Sequence, residues 1–117
     1  MRNFRNYDVW KQSINFSVII YKHVSTYPNC EEYGLKSQLK RAAVSIASNI
    51  AEGAAKNSDR EFQRFIQISL GSAFEIETQL HIAYKVGFTN KETYLSLIDQ
   101  IISIQKQLSK LIHALSQ

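Results

Sequence analysis

Apolar residues recur at three- and four-residue steps in four separate stretches of the chain, the period of amphipathic helices. The first stretch runs from about Tyr7 to Thr26, with Tyr7, Trp10, Ile14, Ser17, Tyr21 and Val24 as its stripe. Pro28 stops it, because the residue before a proline avoids helical angles. The second runs from about Leu35 to Ala55, with Leu35, Leu39, Ala42, Ala43, Ile46, Ala47 and Ile50 on one face. Gly34 precedes it, and Gly53 is a candidate C-cap near its end, with Ala54 and Ala55 able to carry the helix a turn further instead. The third opens on Ser58-Asp59-Arg60-Glu61, the spacing of a capping box. Its stripe is Phe62, Phe65, Ile66, Ser69, Ala73, Ile76, Leu80, Ala83 and Tyr84, and Gly87 suits its end. The fourth starts near Asn90, with Thr89 or Asn90 as cap and Glu92 in its first turn. There Leu97, Ile101, Ile104, Leu108, Leu111 and Leu115 form a heptad seam, widened by Leu95, Ile98, Ile102 and Ile112.

The connections, roughly residues 27–34, 56–58 and 87–90, are short, and short loops between long helices favour antiparallel neighbours. The expected fold is all-α: one domain over residues 1–117, an antiparallel up-down-up-down four-helix bundle. The fourth helix carries more apolar surface than one seam covers, and the first has Val9, Phe16 and Ile20 off its main stripe. An uncovered apolar face marks an interface, so self-assembly is expected.

Composition narrows the class. One proline and four glycines leave little turn chemistry for a β-rich fold, and 44% hydrophobic residues suffice for a core without disulfides or metal. The single cysteine, Cys30, cannot form an internal disulfide, which fits a reducing compartment. No apolar run follows Arg2 and Arg5 as in a secretory signal, and none approaches the roughly 20 residues of a membrane span. The chain therefore reads as soluble and cytoplasmic, with no membrane partner. Its net charge of +4 resides in residues 1–60, which hold nine Lys/Arg against five Asp/Glu, whereas residues 61–117 hold five of each.

Two polar sets are candidates for chemistry. Arg41, Ser45, Ser48, Asn49 and Glu52 share one side of the second helix, and Ser72, Glu75 and Gln79 follow at i, i+3, i+7 on the third. They read either as a pocket or carboxylate cluster, or as a hydrogen-bonded network that fixes helix register within or between subunits. The network is preferred, because a buried charge needs a partner and Arg41 is available to supply one. Small residues Ala42, Ala43, Ala47 and Ala51 let the helices approach closely. The second set is basic. Lys36 and Lys40 lie one turn apart on the second helix, and Lys56, Arg60 and Arg64 follow the second connection, interrupted by Asp59 and Glu61. Such a set gives salt-sensitive, sequence-tolerant phosphate binding. No aromatic stacking platform accompanies it.

Metal and nucleophile chemistry lack their residues. Glu77 and His81 are four apart with no second such pair, and His23 and His113 lie elsewhere, so neither a metal nor a cofactor is expected. Cys30 stands beside Glu31 and Glu32, the wrong charge to favour a thiolate.

The run Ala-Ala-Val-Ser-Ile-Ala-Ser-Asn-Ile-Ala-Glu-Gly (42–53), followed by Glu61-Phe62, Arg64-Phe65, Leu70-Gly71-Ser72 and Glu75-Ile76-Glu77-Thr78-Gln79-Leu80, resembles the bacterial four-helix-bundle family of the 23S rRNA intervening-sequence protein. Tyr7-Asp8-Val9-Trp10-Lys11 and Tyr33-Gly34-Leu35 with Gln38-Leu39 look like that family too. The resemblance implies a protomer that forms a ring-shaped homopentamer, in a group with no settled enzyme activity. A related branch, the accessory protein of diversity-generating retroelements, is a basic pentamer that binds nucleic acid and a reverse transcriptase. Here Ala47 stands where many relatives carry proline, and the loop Ala54 to Arg60 is only mildly basic.

These readings converge on a non-enzymatic, oligomeric binding or scaffold protein. It is expected to associate with RNA or DNA, or with a nucleic-acid-handling protein, through a basic rim. The alternative is a protein-interaction scaffold without nucleic acid.

Overall fold

The computed structural model describes residues 2–117 and places four helices in them: α1 (Asp8–Val24), α2 (Leu35–Ala54), α3 (Asp59–Lys85) and α4 (Lys91–Leu115). Two short 3-10 turns, Phe4–Asn6 and Asn29–Glu31, precede α1 and α2, and no strand occurs among the described residues. Each helix packs on its sequence neighbours, and α1 also meets α4, which closes a bundle measuring 44 × 23 × 19 Å.

Cross-helix hydrogen bonds give the directions. Gln38 meets Gln79 and Ser45 meets Ser72, so α2 and α3 run antiparallel. His81 meets Tyr94 and Gln63 reaches the Ile112 carbonyl, so α3 and α4 do the same. Among the described residues no helix is long and apolar enough to cross a membrane.

Local chemistry sets the helix ends. The Glu61 amide donates to Ser58 Oγ at 3.1 Å, which is the forward half of the expected capping box. The Thr93 amide donates to Asn90 Oδ1 at 2.8 Å and selects Asn90 as the cap of α4. At the end of α3 the Gly87 amide reaches the Tyr84 carbonyl and the Phe88 amide the Ala83 carbonyl, a Schellman motif. Gly87 supplies the φ of +91° that motif requires. The start of α2 has an unforeseen partner: Glu31 Oε1 accepts from the Leu35 amide at 3.0 Å.

Two sequence expectations are corrected. Gly53 is not a C-cap; it lies inside α2, buried, where a Cβ would stand 2.6 Å from Phe65 Cβ and 3.0 Å from Phe62 Cδ1. Its role is the close approach of α2 to α3. The stripe of α1 is reassigned in part: Tyr7, Trp10 and Val24 pack on the core as expected, but Ile14 and Tyr21 do not. Val9, Ser13, Phe16, Ile20 and Val24 face the core, whereas Ile14, Val18 and Tyr21 are exposed. Both sets have helical spacing, so periodicity alone could not choose the inward one. The seam of α4 is as expected in Leu97, Ile101, Ile104 and Leu108, with Leu111 and Leu115 half-buried.

Serines stitch the close contacts. Ser17 Oγ donates to the Ala43 carbonyl at 3.1 Å and Ser69 Oγ to the Ile46 carbonyl at 2.9 Å, opposite an α2 surface of buried Ala42, Ala43 and Ala47.

Candidate nucleic-acid interface and polar cleft

The basic residues divide between two ends of α2. Twenty residues separate Lys36 from Lys56, roughly 30 Å at the helical rise of 1.5 Å per residue. At the first end Lys36 is only 7% exposed, and its Nζ lies 3.4 Å from Glu32 Oε1. Lys40 is half-buried, with its Nζ 5.2 Å from the centre of the Tyr21 ring. Neither belongs to an exposed rim with the other three, which corrects the single five-residue set.

At the second end the basic residues follow one another along the α2–α3 turn. Lys56 extends over the Phe65 ring at 5.1 Å, while Arg60 and Arg64 are exposed on the first turns of α3. Arg2 joins them. Its guanidinium lies 4.6 Å over the Phe62 ring, donates to the Lys56 carbonyl at 2.9 Å and pairs with Asp59. A cavity of about 470 Å³ lined by Arg2, Ala55, Lys56 and Asn57 opens here. Arg2 could not be placed from sequence, since only the fold brings it across 57 residues to Asp59. Asp59, which seemed to dilute the cations, is engaged by Arg2, and among the described residues Lys56, Arg60 and Arg64 make no ion pair.

The polar set on α2 and α3 splits as well. Ser45 Oγ meets Ser72 Oγ at 2.9 Å, and Asn49 Nδ2 donates to the Ser45 carbonyl at 2.8 Å and to Ser45 Oγ at 3.0 Å. Gln79 Nε2 donates to Glu75 Oε2 and to Gln38 Oε1, both at 3.3 Å. Gln38 is a member that sequence spacing missed. Arg41, Ser48, Glu52 and Glu75 are exposed. No carboxylate is buried in this set, so the expected need for Arg41 as a buried counter-charge disappears. A cleft of about 310 Å³ remains between the helices.

A third feature is apolar. Ile14, Val18 and Tyr21 of α1 and Val44, Ala47 and Ser48 of α2 line a groove of about 490 Å³. On α3, Ile68, Phe74 and Ile82 are also exposed, Phe74 by 52%. Gly71 lies among them, and a Cβ there would meet nothing within 4 Å.

In the last turn of α1, His23 Nε2 lies 3.0 Å from Tyr27 OH and 3.1 Å from Thr89 Oγ1, and those two hydroxyls are 3.0 Å apart. Burial lowers the His23 pKa from its ordinary 6.5. Burial raises that of Tyr27, opposed by its hydrogen bond with Thr89. The triangle ties the end of α1 to the α3–α4 connection. No group of three or more metal-ligating side chains gathers among the described residues.

Comparison with known proteins agrees with this architecture. The family described as 23S rRNA-intervening sequence protein matches residues 5–110. A crystal structure of a protein of unknown function from the S23 ribosomal protein family of Bacteroides thetaiotaomicron superposes with a TM-score of 0.80 at 28% identity. That match covers 89% of this chain and 97% of the other. No curated protein matches the chain.

Proposed function

Because the chain belongs to the 23S rRNA-intervening sequence protein family, we propose that it is a non-enzymatic, self-assembling binding protein that engages nucleic acid through the basic end of its bundle. The observation that carries this reading is the cluster of Arg2, Lys56, Arg60 and Arg64 at the α2–α3 turn. Of the two acids beside it, Asp59 is held by Arg2, while Glu61 lies exposed with Arg60 and Arg64. The family's description, which refers to a sequence intervening in 23S rRNA, makes RNA the first nucleic acid to test.

Self-assembly supplies the strength. One protomer offers few phosphate contacts, but copies arranged in a ring add theirs on one long ligand, and linked weak contacts multiply. The α1–α2 groove and the exposed α3 face with Phe74 and Gly71 support a head-to-tail contact, the kind that closes rings when the rotation permits. A homopentamer and a cytoplasmic location belong to this reading. Binding of labelled RNA and DNA to the native protein and to a Lys56/Arg60/Arg64→Ala variant tests it. We expect binding at low salt that the variant loses while keeping its oligomeric mass.

The apolar groove favours a second reading, a protein-interaction scaffold without nucleic acid. Absence of RNA and DNA binding at low salt, with assembly intact, would select it.

A further inference from the structure

The cleft between α2 and α3 has a chemistry distinct from that of the basic end. It is lined by Gln38, Arg41, Ala42, Ser45, Ser72 and Glu75 and holds about 310 Å³, room for about ten waters at roughly 30 Å³ each. Arg41 stands on its α2 wall and Glu75 on its α3 wall. The antiparallel register that joins Gln38 to Gln79 and Ser45 to Ser72 sets the two charges across from each other. They nevertheless form no ion pair; the two ion pairs among the described residues are Arg2–Asp59 and Lys36–Glu32.

Gln79 lies behind the cleft and holds two of its lining side chains. It is 5% exposed, and its Nε2 is spent on Gln38 and Glu75, both of which line the cleft. Its Oε1 is buried and accepts from nothing.

A simple anion entering the cleft would meet Glu75, and a simple cation would meet Arg41. A molecule carrying both charges matches both walls. We infer that this cleft is a binding site for a small zwitterion of the α-amino-acid class, its carboxylate on Arg41 and its ammonium on Glu75. Ser45 and Ser72 contribute hydroxyls to the same wall-to-wall space. The site is independent of the basic end, so loss of one leaves the other intact.

Calorimetric titration of the native oligomer with glycine, L-glutamine and L-glutamate tests this, with acetate and methylamine as single-charge controls. At least one amino acid is expected to saturate with a dissociation constant of about 1 mM or tighter, and the controls to bind at least tenfold more weakly. Arg41→Gln and Glu75→Gln are each expected to weaken that binding about tenfold or more, the usual scale of a charged hydrogen bond, at unchanged melting temperature and oligomeric mass. The Lys56/Arg60/Arg64→Ala variant should bind the amino acid normally. No saturation up to about 10 mM, or equal binding of acetate, would overturn the assignment. So would Arg41→Gln changing the oligomeric mass with no amino acid bound by the native protein, since the cleft would then be a subunit contact.

Discussion

At the scale of single residues, the side chains that matter most are those whose role depends on a neighbour far away in sequence. Gly53 is one. A methyl group there would meet the Cβ of Phe65, which cannot move without shifting α3. Gly53→Ala should therefore destabilise the fold by about 1–3 kcal/mol through overpacking, despite the better helix propensity of alanine. Urea unfolding of the two proteins checks this, and a stabilised variant would contradict it. His23 is another. Its folded pKa is depressed, so the unfolded chain binds more protons as pH falls. The contribution is present above the ordinary value of 6.5 and is lost as pH drops below it. Tyr27 acts in the opposite sense, only on the alkaline side near and above 10. Melting temperature should fall between pH 7 and pH 5, and His23→Gln should flatten that fall; an equal slope in both proteins would remove His23 from the account.

At the scale of elements, the sequence already contained the four helices, their order and most of their caps. Ser58, Asn90 and Gly87 act through bonds to residues no more than a few positions away, so local spacing reveals them. Asn90→Ala should accordingly cost about 1 kcal/mol, readable in thermal melts. The inward face of α1 was not legible. Its two apolar stripes compete at equal period, and only packing against α2 and α4 distinguishes Phe16 from Val18. The same limit applied to the sites. Spacing placed Ser45, Asn49, Ser72 and Gln79 on facing helices, but the partner Gln38 and the exposure of Glu52 and Glu75 depend on the depth of the α2–α3 groove. Lys36 looked like Lys40 in sequence, yet burial and Glu32 remove it from any open surface.

At the scale of the whole molecule, exposed Ile14, Val18, Val44, Ile68 and Phe74 leave the protomer with more uncovered apolar area than isolated surface residues account for. Gly71 separates the two possible fates of the α3 face. In a lone protomer, Gly71→Ala should stabilise by about 0.5–1 kcal/mol, since its Cβ meets nothing and glycine is a poor helix former. In an assembly that uses this face, Gly71→Leu should instead lower the oligomeric mass seen by light scattering. Unchanged mass would move the contact elsewhere.

The central claim, that assembled copies present their basic ends together to nucleic acid, is tested most directly by the salt dependence of RNA binding. Each phosphate contact contributes a slope of roughly −0.7 to −0.9 in log K against log salt. One protomer's Arg2, Lys56, Arg60 and Arg64 can therefore account for a slope no steeper than about −4. The account predicts a steeper slope for the native oligomer on long RNA, collapsing in the Lys56/Arg60/Arg64→Ala variant. No binding at low salt, or a slope that the variant leaves unchanged, would contradict it.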